Sequence, residues 1–243
     1  MKVKDFLFNF NRIIQERLQA ILFLFKPAQN PVTNRYAYQK PFIKHQFTQK
    51  EKILDIGSGG DPFPDATILA DRYLEPTYHR SAVFKSEGKP VIICDIGNLP
   101  FVDGAFDYVV AAHVLEHVED PIKTCLELQR VAKSGFIETP TLMKDALFVT
   151  AQGRHKWHLL SQGNHLFFFE YTLRQSEGIK SSAWWNLIFS TIYHPIQEAF
   201  NDNEDLFNVM FEWKNQFDVT VIKQDGTMTS NQCSSLKTLS DSD

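Results

Sequence analysis

The sequence predicts an α/β fold organised as a doubly wound, mostly parallel sheet. Three observations carry that expectation. Five short apolar runs, each stopped by turn residues, lie between Ile53 and Pro140; such runs suit strands buried on both faces. Between the fourth and fifth runs, Ile122, Cys125, Leu128 and Val131 recur at helical spacing, which makes a strand–helix–strand unit. A glycine-rich turn follows the first run and an aspartate closes each of the next two, as in a ligand crevice at the carboxyl edge of such a sheet.

The elements follow in order. Residues 5–25 place Leu7, Phe10, Ile14, Leu18, Ile21 and Phe25 on one face and Asn9, Arg12, Glu16 and Gln19 on the other. This is an amphipathic helix, read as packed on the domain or as lying on a membrane surface or partner. PAQNPVTN after it reads as a linker. Ile53–Ile56 is the first strand, Ala66–Ala70 the second, Val91–Cys94 the third, Phe106–Ala112 the fourth and Phe136–Glu138 the fifth. Asp120 suits a helix N-cap, Pro121 the first helical position and Ser134-Gly135 the stop. Only Asp61–Asp65, with two prolines, separate the glycine turn from the second strand. A helical crossover needs about ten residues or more, so the first helix is expected to be missing or a single turn. Later, Trp157–Leu160 and Leu166–Phe169 flank Ser161-Gln162-Gly163-Asn164 as a hairpin. Phe207–Phe217 and Asp218–Lys223 read as an antiparallel strand pair, and the Ser-, Thr- and Asp-rich tail from Thr227 as disordered.

Composition bounds the function. The chain has 243 residues, a net charge of −4 and 43% hydrophobic residues, so a single α/β domain with decoration is expected. The acidic balance gives no footprint for a nucleic-acid substrate. Three irregularly spaced cysteines suggest neither a disulfide framework nor a zinc knuckle and fit a cytoplasmic setting. No apolar run is long enough to span a bilayer. Arg12, Glu16 and Arg17 interrupt the early apolar stretch, so no signal peptide is read there.

The chemistry concentrates between residues 50 and 140. In the turn Asp55-Ile56-Gly57-Ser58-Gly59-Gly60, glycines let the backbone approach a ligand. A dinucleotide fingerprint would want a third glycine opening a helix and an acidic residue about 20 positions on; Asp61-Pro62 replaces that glycine and Asp71 arrives early, which disfavours an NAD-dependent oxidoreductase. A carboxylate at Asp71 can accept both ribose hydroxyls of a nucleoside. One at Asp95 can accept from an adenine amino group, with Ile96, Leu99 and Phe101 in apolar contact with the ring.

Ile53–Gly59, then Ala70-Asp71-Arg72-Tyr73, then Cys94–Phe101, then Phe106–Pro121 resemble, in that order, the class I (Rossmann-like) S-adenosylmethionine-dependent methyltransferases. The resemblance is greatest to the broad subgroup that includes the ubiquinone and menaquinone methylases. It covers about a third of the chain. It implies a seven-stranded sheet of order 3-2-1-4-5-7-6 whose last pair is antiparallel, with S-adenosyl-L-methionine as cofactor. It further implies that Asp55, Gly57, Ser58 and Gly59 line the methionine portion, that Asp71 holds the ribose, that Asp95 and Ile96 hold the adenine, and that His113 and Val114 lie near the sulfonium. The domains are then residues 1–40, helix and linker; 41–226, the methyltransferase domain with a cap or lid insertion at about 141–200; and 227–243, the tail.

His113-Val114-Leu115-Glu116-His117 matches the H-x-x-E-H string of some zinc peptidases, but its context is a strand end and short turn, not a long helix. Some quinone O-methyltransferases resemble this stretch and bind a divalent cation through acidic residues and a His; here His113 replaces the first acidic position. No metal is expected, and Glu116 and His117 are the residues that would hold one. On the acceptor side, His155 and His158 stand near Trp157 and could supply a general base. The expected function is in-line methyl transfer to a small-molecule acceptor, a metabolite, sugar or lipid precursor. The alternative is a non-catalytic Rossmann-like binding or scaffold protein.

Overall fold

A computed structural model describes residue 14 and residues 35–76, 83–148, 154–172 and 193–231. The chain forms two compact units. One comprises Met1–Val32 and Ser182–Asn203, the other Thr33–Ser181 and Glu204–Asp243. In the first unit, a helix at Pro195–Asp202 starts where His194 Nδ1 accepts a hydrogen bond from Ile196 N at 3.2 Å. The expected amphipathic helix at 5–25 lies outside the described residues apart from Ile14.

The second unit opens with α1 (Arg35–Gln39) and a 3-10 turn (Lys40–Phe42). There follow β1 (Ile53–Ile56), β2 (Ile68–Asp71), β3 (Val91–Ile93), β4 (Tyr108–Ala112), a 3-10 turn (Leu115–His117), α2 (Pro121–Val131), β5 (Ser134–Pro140) and α3 (Leu142–Phe148). After them come β6 (Trp157–Gln162), β7 (His165–Glu170), a helical turn (Glu204–Phe207), β8 (Asn208–Lys214), β9 (Asp218–Ile222) and β10 (Met228–Asn231).

The main sheet has the order β3-β2-β1-β4-β5-β8. Its first five strands are mutually parallel and β8 runs antiparallel to β5. This is the doubly wound, mostly parallel architecture expected, with six strands among the described residues where seven were expected. Period-two alternation fills both faces. Leu54 and Ile56 of β1, Val109 and Ala111 of β4 and Ile137 of β5 pack on one side with Cys125, Leu128 and Val131 of α2. Ile53, Tyr108, Val110 and Phe136 pack on the other with Phe63, against which Phe42, Ile43 and Phe47 lie. α2 forms because Asp120 Oδ1 caps Lys123 N at 3.0 Å and Pro121 presets the first turn. No helix occurs between β1 and β2, as the short, proline-containing connection requires. Buried Phe63 anchors that connection instead: its N donates to Asp55 Oδ2 at 2.7 Å and its carbonyl accepts from Lys89 Nζ at 2.9 Å.

Three expectations need correction. Residues 207–217 and 218–223 do not pair with each other. β8 covers β5, but Asn215, in the left-handed region at φ 65°, turns the chain away. β9 then joins a second sheet, β10-β9-β7-β6, parallel to β7. Its Val219 and Val221 share a core with Leu166 and Phe168, a burial that the open edge of β8 does not offer. The expected hairpin is present as β6–β7, but it is part of this second sheet, which residues beyond 200 complete. The tail read as disordered from residue 227 begins with β10, antiparallel to β9 across a turn at Gly226 (φ 83°); backbone pairing holds it where side-chain composition shows little. Residues 232–243 lie outside the described residues. Gly135 is no helix stop. It sits inside β5, where a Cβ would meet Val109 O at 2.5 Å and the Trp213 ring at 3.0 Å.

Among the described residues, no helix is long and apolar enough to cross a membrane.

Candidate active site

The carboxyl ends of β1, β2, β3 and β4 open into one cleft of about 930 Å³. Ile56 and Gly57 enter it from β1, Asp71 from β2, Asp95 and Ile96 from beyond β3, and His113 and Val114 from beyond β4. The reversal of strand order between β1 and β4 lies at its centre, the place where such sheets bind ligands.

Backbone geometry shapes the floor. Gly57 has φ 68° and its N donates to Ala70 O at 2.7 Å. A Cβ there would lie 2.3 Å from Val114 Cγ2. Gly59, at φ 57°, donates to Asp71 Oδ2 at 3.2 Å, and Tyr73 N donates to Asp71 Oδ1 at 2.9 Å. Two backbone donors therefore help fix the Asp71 carboxylate at the edge of the cleft. Asp95 Oδ1 accepts from Gly97 N at 2.8 Å, and its Oδ2 pairs with Arg72 at 3.0 Å at an exposed position. Asp55, Ser58 and Gly59 do not line the cleft. Asp55 is fully buried and acts as the cap on Phe63 N; its contribution is to hold the turn rather than to touch a ligand.

The β4 end carries the strongest electrostatics. His113 adopts the left-handed region at φ 57°, uncommon without a glycine, and its N donates to Glu138 O at 2.8 Å. Its Nε2 lies 3.1 Å from Glu138 Oε1 and its Nδ1 3.6 Å from Glu116 Oε1. Burial opposes the charge, but the two carboxylates outweigh it and raise the imidazole to about 9. Burial likewise works against ionised Glu116, yet His113, His117 and His155 hold it down to about 2. Glu138 is fully buried and also accepts from Tyr38 Oη at 3.0 Å and from Gln39 Nε2. Beside it, burial lowers the Lys144 ammonium, which donates to Asn208 Oδ1 at 2.6 Å. His113 thus lines the cleft with both ring nitrogens turned to the carboxylates of Glu138 and Glu116.

The acceptor-side histidines stand elsewhere. Arg154 and Lys156 line the cleft, whereas His155 and His158 do not. His155 is buried, bonds Asp145 Oδ2 at 2.7 Å and packs edge-on against His117, with ring centroids 4.8 Å apart. His117 does line the cleft. His158 stacks on Phe169, and burial lowers its pKa. For His158 the alternation of β6 explains the placement: Trp157 and Leu159 take the core face, and Trp157 Nε1 donates to Val118 O at 2.8 Å.

Sequence reasoning did not single out Tyr38, Gln39, Glu138 or Asp145. All four are separated from their partners by long stretches of chain or lie in segments without a motif. A glutamate inside a buried strand, Phe136-Ile137-Glu138, was the one available signal, because a buried charge needs a partner.

Residues 54–137 match the family described as "Methyltransferase domain". No curated protein matches the chain. Among solved structures, the chain is similar to an S-adenosylmethionine-dependent methyltransferase of Thermotoga maritima, at 22% identity over 55% of this chain and 60% of that one, with a TM-score of 0.33. It is also similar to a Pyrococcus horikoshii protein, at 18% identity over 52% of this chain and 69% of that one, with a TM-score of 0.38. A third is a Haemonchus contortus phosphoethanolamine N-methyltransferase solved with phosphomonomethylethanolamine and S-adenosylhomocysteine, at 20% identity over 43% of this chain and 27% of that one, with a TM-score of 0.35. The chain therefore spans less than two thirds of the Thermotoga and Haemonchus proteins.

The cleft fits the cofactor of the matched family: a glycine floor that a Cβ would fill, and two carboxylates spaced along one edge to receive hydroxyl and amino donors. Residues 54–137 thus carry a methyltransferase domain, and S-adenosylmethionine is the cofactor of that domain.

Proposed function

We propose that the protein transfers the methyl group of S-adenosylmethionine to a small-molecule acceptor, a metabolite, sugar or lipid precursor. The observation that carries the reading is the shape of the cleft. Its Gly57, Asp71 and Asp95 side provides for a nucleoside and its amino-acid tail, while His117, Arg154 and Lys156 border further space in the same cavity. A volume of about 930 Å³ is in the range that encloses small ligands.

The bound cofactor supplies an electrophilic methyl on a sulfonium. The chain's own residues do the rest. Gly57 brings backbone close, Gly59 N holds Asp71, Asp71 and Asp95 orient the nucleoside, and Val114 packs over the glycine turn. Orientation of this kind can supply several kcal/mol, up to about 11. Asp55 and Ser58 support the turn around the methionine portion. On the acceptor side, His155 and His158 belong to the same reading; His158, kept neutral by burial, is in the state that a base needs. A cytoplasmic setting, with peripheral membrane contact through residues 5–25, rests on cysteine usage and on the amphipathic pattern.

The test is incubation with methyl-labelled cofactor and metabolite extracts, followed by mass spectrometry of labelled products. A labelled small molecule formed only with active protein supports the reading. Cofactor binding without any transfer to extract components favours a binding or scaffold role.

A further inference from the structure

We infer that Glu116, His117 and His155 form a binding site for one borderline divalent transition ion, of which zinc is the type, beside the cleft, which His117 alone of the three lines. One ligand atom from each of the three lies within 4.8 Å of the others. His117 Nε2 stands 3.8 Å from Glu116 Oε1, and the two imidazoles meet edge to face at 4.8 Å between centroids.

The surroundings are those of a metal site. His117 Nδ1 lies 3.0 Å from Arg154 O, and His155 Nδ1 lies 2.7 Å from Asp145 Oδ2. A carbonyl accepts only from a protonated ring nitrogen, so His117 carries a proton on Nδ1, and Nε2 is the nitrogen that would turn to a metal. The Asp145 carboxylate imposes the same tautomer on His155. This outward acceptor on each imidazole is the support that metal-bound histidines use. Asp145 is itself buried and fixed by Tyr171 Oη at 2.6 Å. A second observation is independent of these: the Glu116 side chain is 1% exposed, and its Oε2 accepts no hydrogen bond from the described residues. A buried carboxylate oxygen without a donor is costly, and a cation beside it removes that cost.

Two imidazoles and one carboxylate are the donor set of zinc sites with an open fourth position. Hard cations such as magnesium would want more oxygen ligands. Tetrahedral zinc, with bonds near 2.0–2.2 Å, places its ligand atoms about 3.3 Å apart, so the present cluster closes by an ångström or so on binding. The set draws on two chain segments, the turn after β4 and the stretch two residues before β6, and makes no use of position 113. His117 borders the cleft, which puts the remaining coordination position within reach of an acceptor oxygen. This deepens the proposed methyl transfer, but the metal site is testable without it.

The experiment uses the full chain, stripped with EDTA and dialysed against zinc without S-adenosylmethionine, with bound metal counted by mass spectrometry of the ion. The expected result is one zinc per chain, with a rise in Tm and visible d–d absorption when cobalt replaces zinc. His117→Ala and His155→Ala should each lower the affinity at least tenfold. Asp145→Asn, which keeps the fold but weakens the His155 support, should lower it about ten- to a hundredfold. Substoichiometric uptake by the wild type, or equal uptake by folded H117A and D145N, overturns the proposal. Cofactor affinity measured separately by calorimetry keeps the two readings apart. Zinc bound without cofactor affinity leaves the metal site standing and removes the methyl-transfer reading; the reverse removes the metal site alone.

Discussion

Gly57 and Val114 are in contact across the cleft floor so closely that a β-carbon on Gly57 would lie 2.3 Å from Val114 Cγ2. Two separate penalties therefore guard position 57, the overlap with Val114 and the left-handed φ of 68°. Gly57→Ala should lose measurable cofactor binding in calorimetry. Adding Val114→Ala removes the overlap but not the backbone strain of roughly 1–2 kcal/mol. The double variant is expected to recover part of the affinity. Full recovery would show that strain at 57 is immaterial; no recovery would show that the overlap is.

Asp71 is expected to hold the cofactor ribose. Because Gly59 N and Tyr73 N also donate to it, Asp71→Ala would loosen the turn as well as remove an acceptor. Asp71→Asn keeps one acceptor oxygen and is the cleaner variant. It should weaken binding by about 1.5–3 kcal/mol, the worth of a hydrogen bond to a charged group. Unchanged affinity in folded D71N, again by calorimetry, would remove Asp71 from the cofactor's contacts.

Glu127 and Arg130 sit one turn apart on α2 and are joined by two hydrogen bonds, 2.7 and 2.8 Å long. The pair grips the chain that follows Asp95: Leu99 N donates to Glu127 Oε2 at 2.8 Å, while Arg130 donates to Leu99 O and Phe101 O. Arg130 foremost, against the effect of burial, holds the Glu127 carboxyl below its ordinary value of 4.5. A depressed carboxylate contributes stability that is present above the unfolded value and lost as pH falls through the folded one. Cofactor affinity and Tm should therefore decline together below about pH 4.5. Glu127→Gln should have a smaller decline over that window and lower affinity at neutral pH. An identical acid profile in E127Q would exclude the pair as the cause.

How much of this was legible in the sequence follows from what periodicity reports. The parallel strands were readable because each is a short apolar run that ends at a turn: Ile53–Ile56 stops at Gly57, and Ile68–Asp71 closes on its aspartate. The missing first helix was readable from Pro62 and Pro64. The fate of β9 was not, because Asp218-Val219-Thr220-Val221-Ile222 alternates equally well for either sheet. Only the fit of Val219 and Val221 against Leu166 and Phe168 decides between them. The acceptor side was half legible. His155 and His158 were marked as histidines near a tryptophan, but the packing that keeps both from lining the cleft, and the Asp145 partner ten residues from His155, depend on tertiary structure.

The buried carboxylate Glu138 ties the start of the domain to the cleft. On one side, Tyr38 and Gln39 from α1 donate to it; on the other, His113 forms an ion pair with it at 3.1 Å. A chain beginning at Phe42 would keep every residue expected to touch the cofactor, yet it would strip both neutral donors from a fully buried charge. Gln39→Ala should therefore destabilise the domain by about 1.5–3 kcal/mol. Glu138→Gln, which leaves the His113 cation without its closest partner, should cost roughly 3–5 kcal/mol. Neither residue lines the cleft, so cofactor affinity in Gln39→Ala should change less than stability does. Urea unfolding of the two single variants and the double variant measures the coupling. If Gln39 acts through Glu138, the double variant should be little worse than E138Q alone, since the donor has lost its charged acceptor. Strict additivity of the two losses would show instead that Gln39 stabilises α1 by packing, and that the domain could begin at Phe42 without harm to the cleft.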